Sequence, residues 1–154
     1  MFNVEDCIAL LTNNGSKTIC EAMNRQFLEN EITRLQWTAL YFIRKSNRIT
    51  QKDLANILMI SYPSATNLVH RLIRAGFVTQ EDDPDDFRAK LLRITAKGEK
   101  TYHDAYPIVE RFNSSTTAQI SEEDLTTFKN VLNKMIENIR AEEARPQAHE
   151  PISD

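Results

Sequence analysis

Glycine and proline are scarce, with 3 and 5 copies among 154 residues, and this excludes a collagen-like or linker-dominated chain. Cysteine is scarcer still. Cys7 and Cys20 cannot build a disulfide framework, so both read as buried, reduced thiols and stability must come from packing. No window reaches the ~18 uninterrupted apolar residues of a membrane span. The start, Met1-Phe2-Asn3-Val4-Glu5-Asp6, has no basic flank leading into a hydrophobic run, so the expected location is the cytoplasm. The usual carriers of chemistry are missing too: there is no Gly-x-Gly, no nucleotide loop, no Ser/His/Asp order and no carboxylate pair in an apolar setting. His70, His103 and His149 are scattered, without an i, i+4 His or Cys partner. Neither an enzyme nor a cofactor or metal protein is expected.

What is present is an ordinary globular composition, 41% apolar and 27% charged, in a length that suits one domain or one domain with a helical arm. The net charge of −3 hides an uneven distribution. Residues 48–97 carry 8 basic and 6 acidic side chains, and residues 121–154 carry 4 and 8. Residues 54–80 contain no Asp or Glu at all, yet include His70, Arg71 and Arg74.

Hydrophobic spacing outlines six helices and a hairpin. A first helix is expected within residues 5–29, with Ile8, Leu11, Ile19, Met23 and Phe27 on one side. Thr33 and Gln36 form a capping box ahead of a second helix bearing Trp37, Leu40, Tyr41 and Ile43. Thr50 caps a short third helix and Asp53 suits its positive first turn. Ser61 caps a fourth, Pro63 falls near its first turn, and Ala65, Leu68, Val69, Leu72 and Ile73 repeat helically until Gly76 stops it. Residues 77–80 and 91–94 then read as two strands joined by a polar loop. A fifth helix places Ala105, Ile108, Val109 and Phe112 inward. In a sixth, started by Ser121 and Asp124, Leu125, Phe128, Leu132, Met135 and Ile139 alternate spacings of three and four, a seam that wants a partner helix. Residues from 144 onward have no apolar period and read as a flexible tail.

Two short helices across a tight turn, followed at once by a hairpin, have the order of a winged helix-turn-helix, which presents its second helix to a major groove. The fold class expected is therefore mainly α with a small β wing, flanked by N- and C-terminal helices. The fourth helix turns Tyr62, Ser64, Thr66, Asn67, His70, Arg71 and Arg74 outward without one carboxylate. Hydroxyls and amides can reach base edges or phosphates, Arg can pair with guanine bidentately, and the helix start attracts phosphate. Thr50, Lys52, Ser61 and Pro63 complete the expected DNA-facing set from this motif. The competing reading is a solvated polar face on a winged-helix module used for protein contact.

These residues resemble the MarR (multiple antibiotic resistance regulator) family of winged-helix transcriptional regulators. The resemblance rests on Leu35-Gln36-Trp37-Thr38-Ala39-Leu40, on Ile60-Ser61-Tyr62-Pro63-Ser64-Ala65-Thr66-Asn67-Leu68-Val69, on Asp86-Phe87-Arg88 through Leu91, Ile94-Thr95 and Gly98, and on Ile120-Ser121-Glu122-Glu123-Asp124-Leu125. It implies a homodimer on a palindromic operator; the sequence leaves repressor and activator open, and a repressor is the expectation. Residues 1–32 and 98–142 would supply dimerisation helices, 33–97 the DNA-binding lobe and 143–154 the tail. Ile8, Leu11, Leu125, Phe128, Leu132, Met135 and Ile139 would then form the dimer interface. Arg88 becomes the wing-tip arginine entering a minor groove, with Asp86 holding its guanidinium and Lys90 beside it. Phe87 and Gln80 stand where that family often has basic residues. Glu81, Asp82, Asp83, Asp85 and Asp86 crowd the loop, so its first half is expected to face away from phosphates while Arg88 and Lys90 turn inward.

The same resemblance implies a small aromatic or amphipathic effector, for which Met23, Phe27, Trp37, Tyr41 and Phe42 are the candidate lining. Core packing is their other use. Cys7 resembles the sensing cysteine of the peroxide-responsive branch of the family. Glu21, Ile32 and Arg34 occupy the regions of that branch's tyrosines, and Glu5 and Asp6 have the wrong sign to favour a thiolate, so an inert thiol is the alternative.

Overall fold

The computed structural model describes residues 3–86 and 88–145. The expectations for Phe87, His149 and most of the tail lie outside them. The backbone divides into two compact units, residues 1–114 and 115–154.

In the first unit a single 3-10 turn, Val4–Asp6, precedes α1 (Ile8–Gln26). None of the α1 side chains is buried, and Ile8, Leu10, Leu11 and Ile19 are exposed. α2 (Arg34–Lys45) begins at the expected capping box: the Thr33 hydroxyl accepts from the Gln36 N–H at 3.2 Å, and the Gln36 amide oxygen accepts from the Thr33 N–H at 2.9 Å. α3 (Gln51–Leu58) repeats the device with Thr50 and Asp53. The chain turns at Met59, whose φ of 53° is left-handed, and Ser61 caps α4 (Tyr62–Arg74) by accepting from the Ser64 N–H. α4 closes where expected, because Gly76 at φ 75° allows its N–H to reach the Ile73 carbonyl and the Phe77 N–H to reach Leu72, both at 2.9 Å.

The wing is an antiparallel pair, β1 (Val78–Asp82) and β2 (Lys90–Ile94), in which Val78 faces Ile94 and Asp82 faces Lys90. It starts one residue later than the pattern suggests and runs two residues further, so two of the acidic residues belong to the strand. The segment before α3 joins this sheet: Leu92 donates to the Ile49 carbonyl at 2.9 Å, and Thr50 bridges Leu91. α5 (Ala96–Thr116) follows and runs through Pro107.

One core serves this unit. Leu40, Ile49, Leu54, Val69, Leu72, Val78 and Leu92 are its fully buried centre. Phe27 and Ile32 join from beyond α1, and Tyr102 and Ala105 from α5. Trp37 stacks on Tyr102 with centroids 5.1 Å apart, and its indole N–H donates to the Tyr102 carbonyl at 3.1 Å. Burial pushes the Tyr102 phenol above its ordinary range. Gly98 is where α5 meets the wing's root: a Cβ there would stand 2.1 Å from the Phe77 carbonyl oxygen. Only glycine permits that approach.

The second unit contains α6 (Glu122–Glu143), capped by Ser121 with Glu122, Glu123 and Asp124 in its first turn. None of its side chains is buried. Among the described residues, no helix is long and apolar enough to cross a membrane.

Candidate nucleic-acid interface

The amphipathic pattern of α4 becomes two faces. Ala65, Leu68, Val69 and Leu72 are buried, which forces Asn67, His70, Arg71 and Arg74 outward, where all four are exposed. Tyr62, Pro63 and Ser64 are exposed at its start. Among the described residues, neither Arg71 nor Arg74 is paired with a carboxylate.

Some hydroxyls expected to face a duplex are occupied within the protein. The half-buried Thr66 hydroxyl donates to the Tyr62 carbonyl at 3.0 Å and accepts from the Gln51 amide at 2.6 Å, tying α3 to α4. Ser61 and Ser64 share a hydroxyl contact of 2.8 Å. The Thr50 hydroxyl and N–H both donate to the Asp53 carboxylate, at 2.7 and 2.9 Å, and hold it below the usual carboxylate range. Lys52, one turn away, is exposed.

The wing adds ion pairs that the sequence does not announce. Beyond the expected crowding of acids, each carboxylate of its first half takes a basic partner. Lys90 pairs with Asp82 directly opposite it, Arg93 with Glu81, and Arg48 with both Asp83 and Asp85. Cross-strand register brings Asp82 and Lys90 together whichever way the ribbon faces, which is why the acids cannot be segregated. Asp83, only 3% exposed as a side chain, receives the Arg48 guanidinium at 2.8 Å and the Asp85 N–H at 3.0 Å. At the tip, the Arg88 guanidinium is 93% exposed and lies 3.4 Å from Asp86, whose carboxylate also accepts the Arg88 N–H at 3.0 Å. Asp86 thus meets Arg88 as the motif implies.

A cleft of about 500 Å³ separates the helix-turn-helix from the wing. Thr50, Lys52 and Tyr62 of the helix-turn-helix and Gln80, Arg88 and Lys90 of the wing line it, together with Arg48 and Asp83. Spacing alone does not single out Arg48, Gln51 or Asp83. The signal for Arg48 is alternation: in Arg48-Ile49-Thr50 the central residue is 1% exposed, so its neighbours point the other way.

The remaining candidates are dispersed. Phe27 and Trp37 are in the core, Met23 and Phe42 pack against it, and Tyr41 is exposed. None of the five lines the clefts of about 490, 150 and 500 Å³ that open on this unit. The cleft of about 490 Å³ is bordered by Arg25, Gln26, Asn30 and Arg111. Cys7 caps α1 and Cys20 lies within it, both free thiols and half-buried rather than buried, since α1 covers none of its residues. On α6, Phe128 is 63% and Ile139 58% exposed, while Leu125, Leu132 and Met135 are half-buried.

Residues 31–89, from the approach to α2 through the wing, match the model of the MarR family. YwoH of Bacillus subtilis, an uncharacterised HTH-type transcriptional regulator, is 26% identical over 125 residues, covering 81% of this chain and 90% of the relative. That segment is thus similar to the MarR family of regulators. Its fold agrees: the solved S. aureus MepR–DNA complex superposes with a TM-score of 0.77 at 23% identity, covering 89% of this chain and 99% of that one. Bordetella bronchiseptica BpsR, solved in a study of how 6-hydroxynicotinic acid regulates its DNA binding, gives 0.77 at 17% identity, covering 88% of this chain and 96% of that one. In this winged-helix fold α3 and α4 are the helix-turn-helix and β1 and β2 the wing.

Proposed function

We propose that this chain is a MarR-family transcriptional regulator, that it binds an operator duplex as a homodimer with α4 in the major groove, and that it represses transcription until a small molecule releases it. The observation that carries the reading is the outward face of α4, where Asn67, His70, Arg71 and Arg74 are exposed on a stretch without a carboxylate. Such a face can approach phosphates without repulsion and place Arg and Asn at base edges. Lys52, Tyr62, Pro63 and Ser64 flank it, and Arg88 is placed to enter an adjacent minor groove, where a guanidinium sheds water more readily than an ammonium. Thr50, Ser61 and Thr66 act in this reading by fixing the two helices rather than by offering free hydroxyls.

Dimer formation is supported by α1 and α6, two helices of 19 and 22 residues that bury nothing of their own while exposing Ile8, Leu11, Phe128 and Ile139. Apolar surface of that kind favours a partner. Two lobes reading successive major grooves would sit about 34 Å apart, and an effector would act by changing that spacing. The packed state of Phe27 and Trp37 favours an effector at the Arg25 and Arg111 cleft over one among the aromatic residues. Cys7, flanked by Glu5 and Asp6, is read as an inert thiol.

The test is selection of duplexes from a random pool by the purified protein, together with its mass in solution. A palindromic consensus with half-sites about one helical turn apart, bound by a dimer, is the expected result. A monomer that enriches no sequence overturns the proposal and leaves the protein-contact reading of the same fold.

A further inference from the structure

The wing carries five carboxylates that a phosphate backbone would repel, yet each is paired within the protein: three with bases of the wing itself and two with Arg48 ahead of α3. This creates two classes of basic residue. Arg48 is held by two acids at once, one of them the nearly buried Asp83, and its partners sit on the turn between the strands. Lys90 is held by one, Asp82, and both members of that pair are more than half exposed beside the cleft that also contains Lys52 and Tyr62. A guanidinium engaged by two acids, one of them nearly buried, is an anchor. An ammonium engaged by one exposed acid can change partners.

We propose that Asp82 occupies on Lys90 the place of a backbone phosphate, so that docking of the wing is an exchange of carboxylate for phosphate, while Arg48 stays with Asp83 and Asp85 and keeps the wing attached to the helix-turn-helix. This rests on the operator-binding reading above. The consequence is a built-in brake on sequence-independent binding. The Lys90 ammonium displaces an ion condensed on the duplex, but the freed Asp82 carboxylate, left beside the same phosphates, takes up a cation in return, so this contact adds little to the net salt dependence. Exposed pairs are weak, so the brake is modest, and it acts equally on every sequence. Discrimination therefore falls to α4, whose cations carry no such partner.

The experiment measures affinity of the full-length protein for one duplex selected from a random pool and one unrelated duplex, from 50 to 200 mM salt. Asp82→Asn is expected to tighten both about two- to fivefold at the lowest salt and to steepen the slope of log affinity against log salt by about 0.9, the value of one added phosphate contact on duplex DNA. Asp82→Glu keeps the charge and should track the unaltered protein. In a Lys90→Ala background the Asp82→Asn gain should vanish, because the exchange has lost its cation. A gain of full size in that background overturns the exchange and leaves general charge repulsion. Unaltered affinity and slope for a folded Asp82→Asn protein overturn it also. If the unaltered protein binds neither duplex, the operator-binding reading fails and takes this inference with it, a result distinguishable from a flat response to Asp82→Asn in a protein that does bind.

Discussion

The outward face of α4 and the wing are the two basic surfaces of the first unit, and they handle charge in opposite ways. α4 keeps Arg71 and Arg74 exposed and far along the chain from any acid, since residues 54–80 contain none. The wing matches Arg93, Lys90, Arg48 and Arg88 with Glu81, Asp82, Asp83, Asp85 and Asp86. A net charge of −3 is therefore no argument against nucleic acid, because what a duplex meets is the local unpaired charge. The contrast also separates jobs: unpaired cations on a rigid helix can select, and paired ones on a ribbon can position.

The largest expected effect comes from a change that strikes both surfaces at once. Gly98→Ala drives a methyl into the Phe77 carbonyl at the junction of α4, β1 and α5. It should lower stability by about 3 kcal/mol, at the upper end for an overpacked site, measured by denaturant unfolding. Little change would mean that α5 moves freely against the wing's root. Arg71→Ala should cost about 1–3 kcal/mol on a selected duplex and much less on an unrelated one, with the fold intact by circular dichroism. An equal loss on both would make Arg71 a phosphate contact and blur the division of labour. Asp83→Asn leaves the wing's anchor half-satisfied and should cost about 1–3 kcal/mol of stability, with faster proteolysis of the loop around residues 83–89 as its signature. Arg88→Ala should weaken both duplexes to a similar, smaller extent, and unchanged affinity would reject insertion of the wing tip.

The smallest effect concerns acid. The Asp53 carboxylate, lowered by the Thr50 N–H and hydroxyl, has a folded pKa below its unfolded one. Its stabilising contribution is complete above the ordinary carboxylate range and lost as pH falls through the depressed folded value. Asp53→Asn should flatten that part of the acid unfolding curve. Helix α3, which carries Lys52 but none of α4's unpaired arginines, would bear the change.

Local devices in the sequence announced much of this. The capping pairs Thr33 with Gln36 and Thr50 with Asp53, the Ser61 cap and the stop at Gly76 all depend on residues within four positions of each other, and each appears in the structure. The α4 face was legible for the same reason, since its period is set by one helix. What spacing could not show were meetings between distant segments. Arg48 and Asp83 are 35 positions apart, Gln51 and Thr66 are 15, and Trp37 and Tyr102 are 65. The aromatic cluster illustrates the limit: Trp37 and Phe27 have the composition of a binding pocket, but the arrival of Tyr102 and Ala105 from α5 makes them core. The wing's ion pairs were hidden in the same manner, because register, invisible along the chain, sets Lys90 against Asp82.

The most direct measurement is the ratio of affinities for a selected duplex and a scrambled one of equal length, at one salt concentration, for the unaltered protein and for Arg71→Ala. A ratio of at least 10³ that collapses by roughly tenfold or more in the variant is the expected result. A ratio near unity for the unaltered protein, or one that survives the loss of Arg71 undiminished, would contradict base reading by the carboxylate-free face of α4.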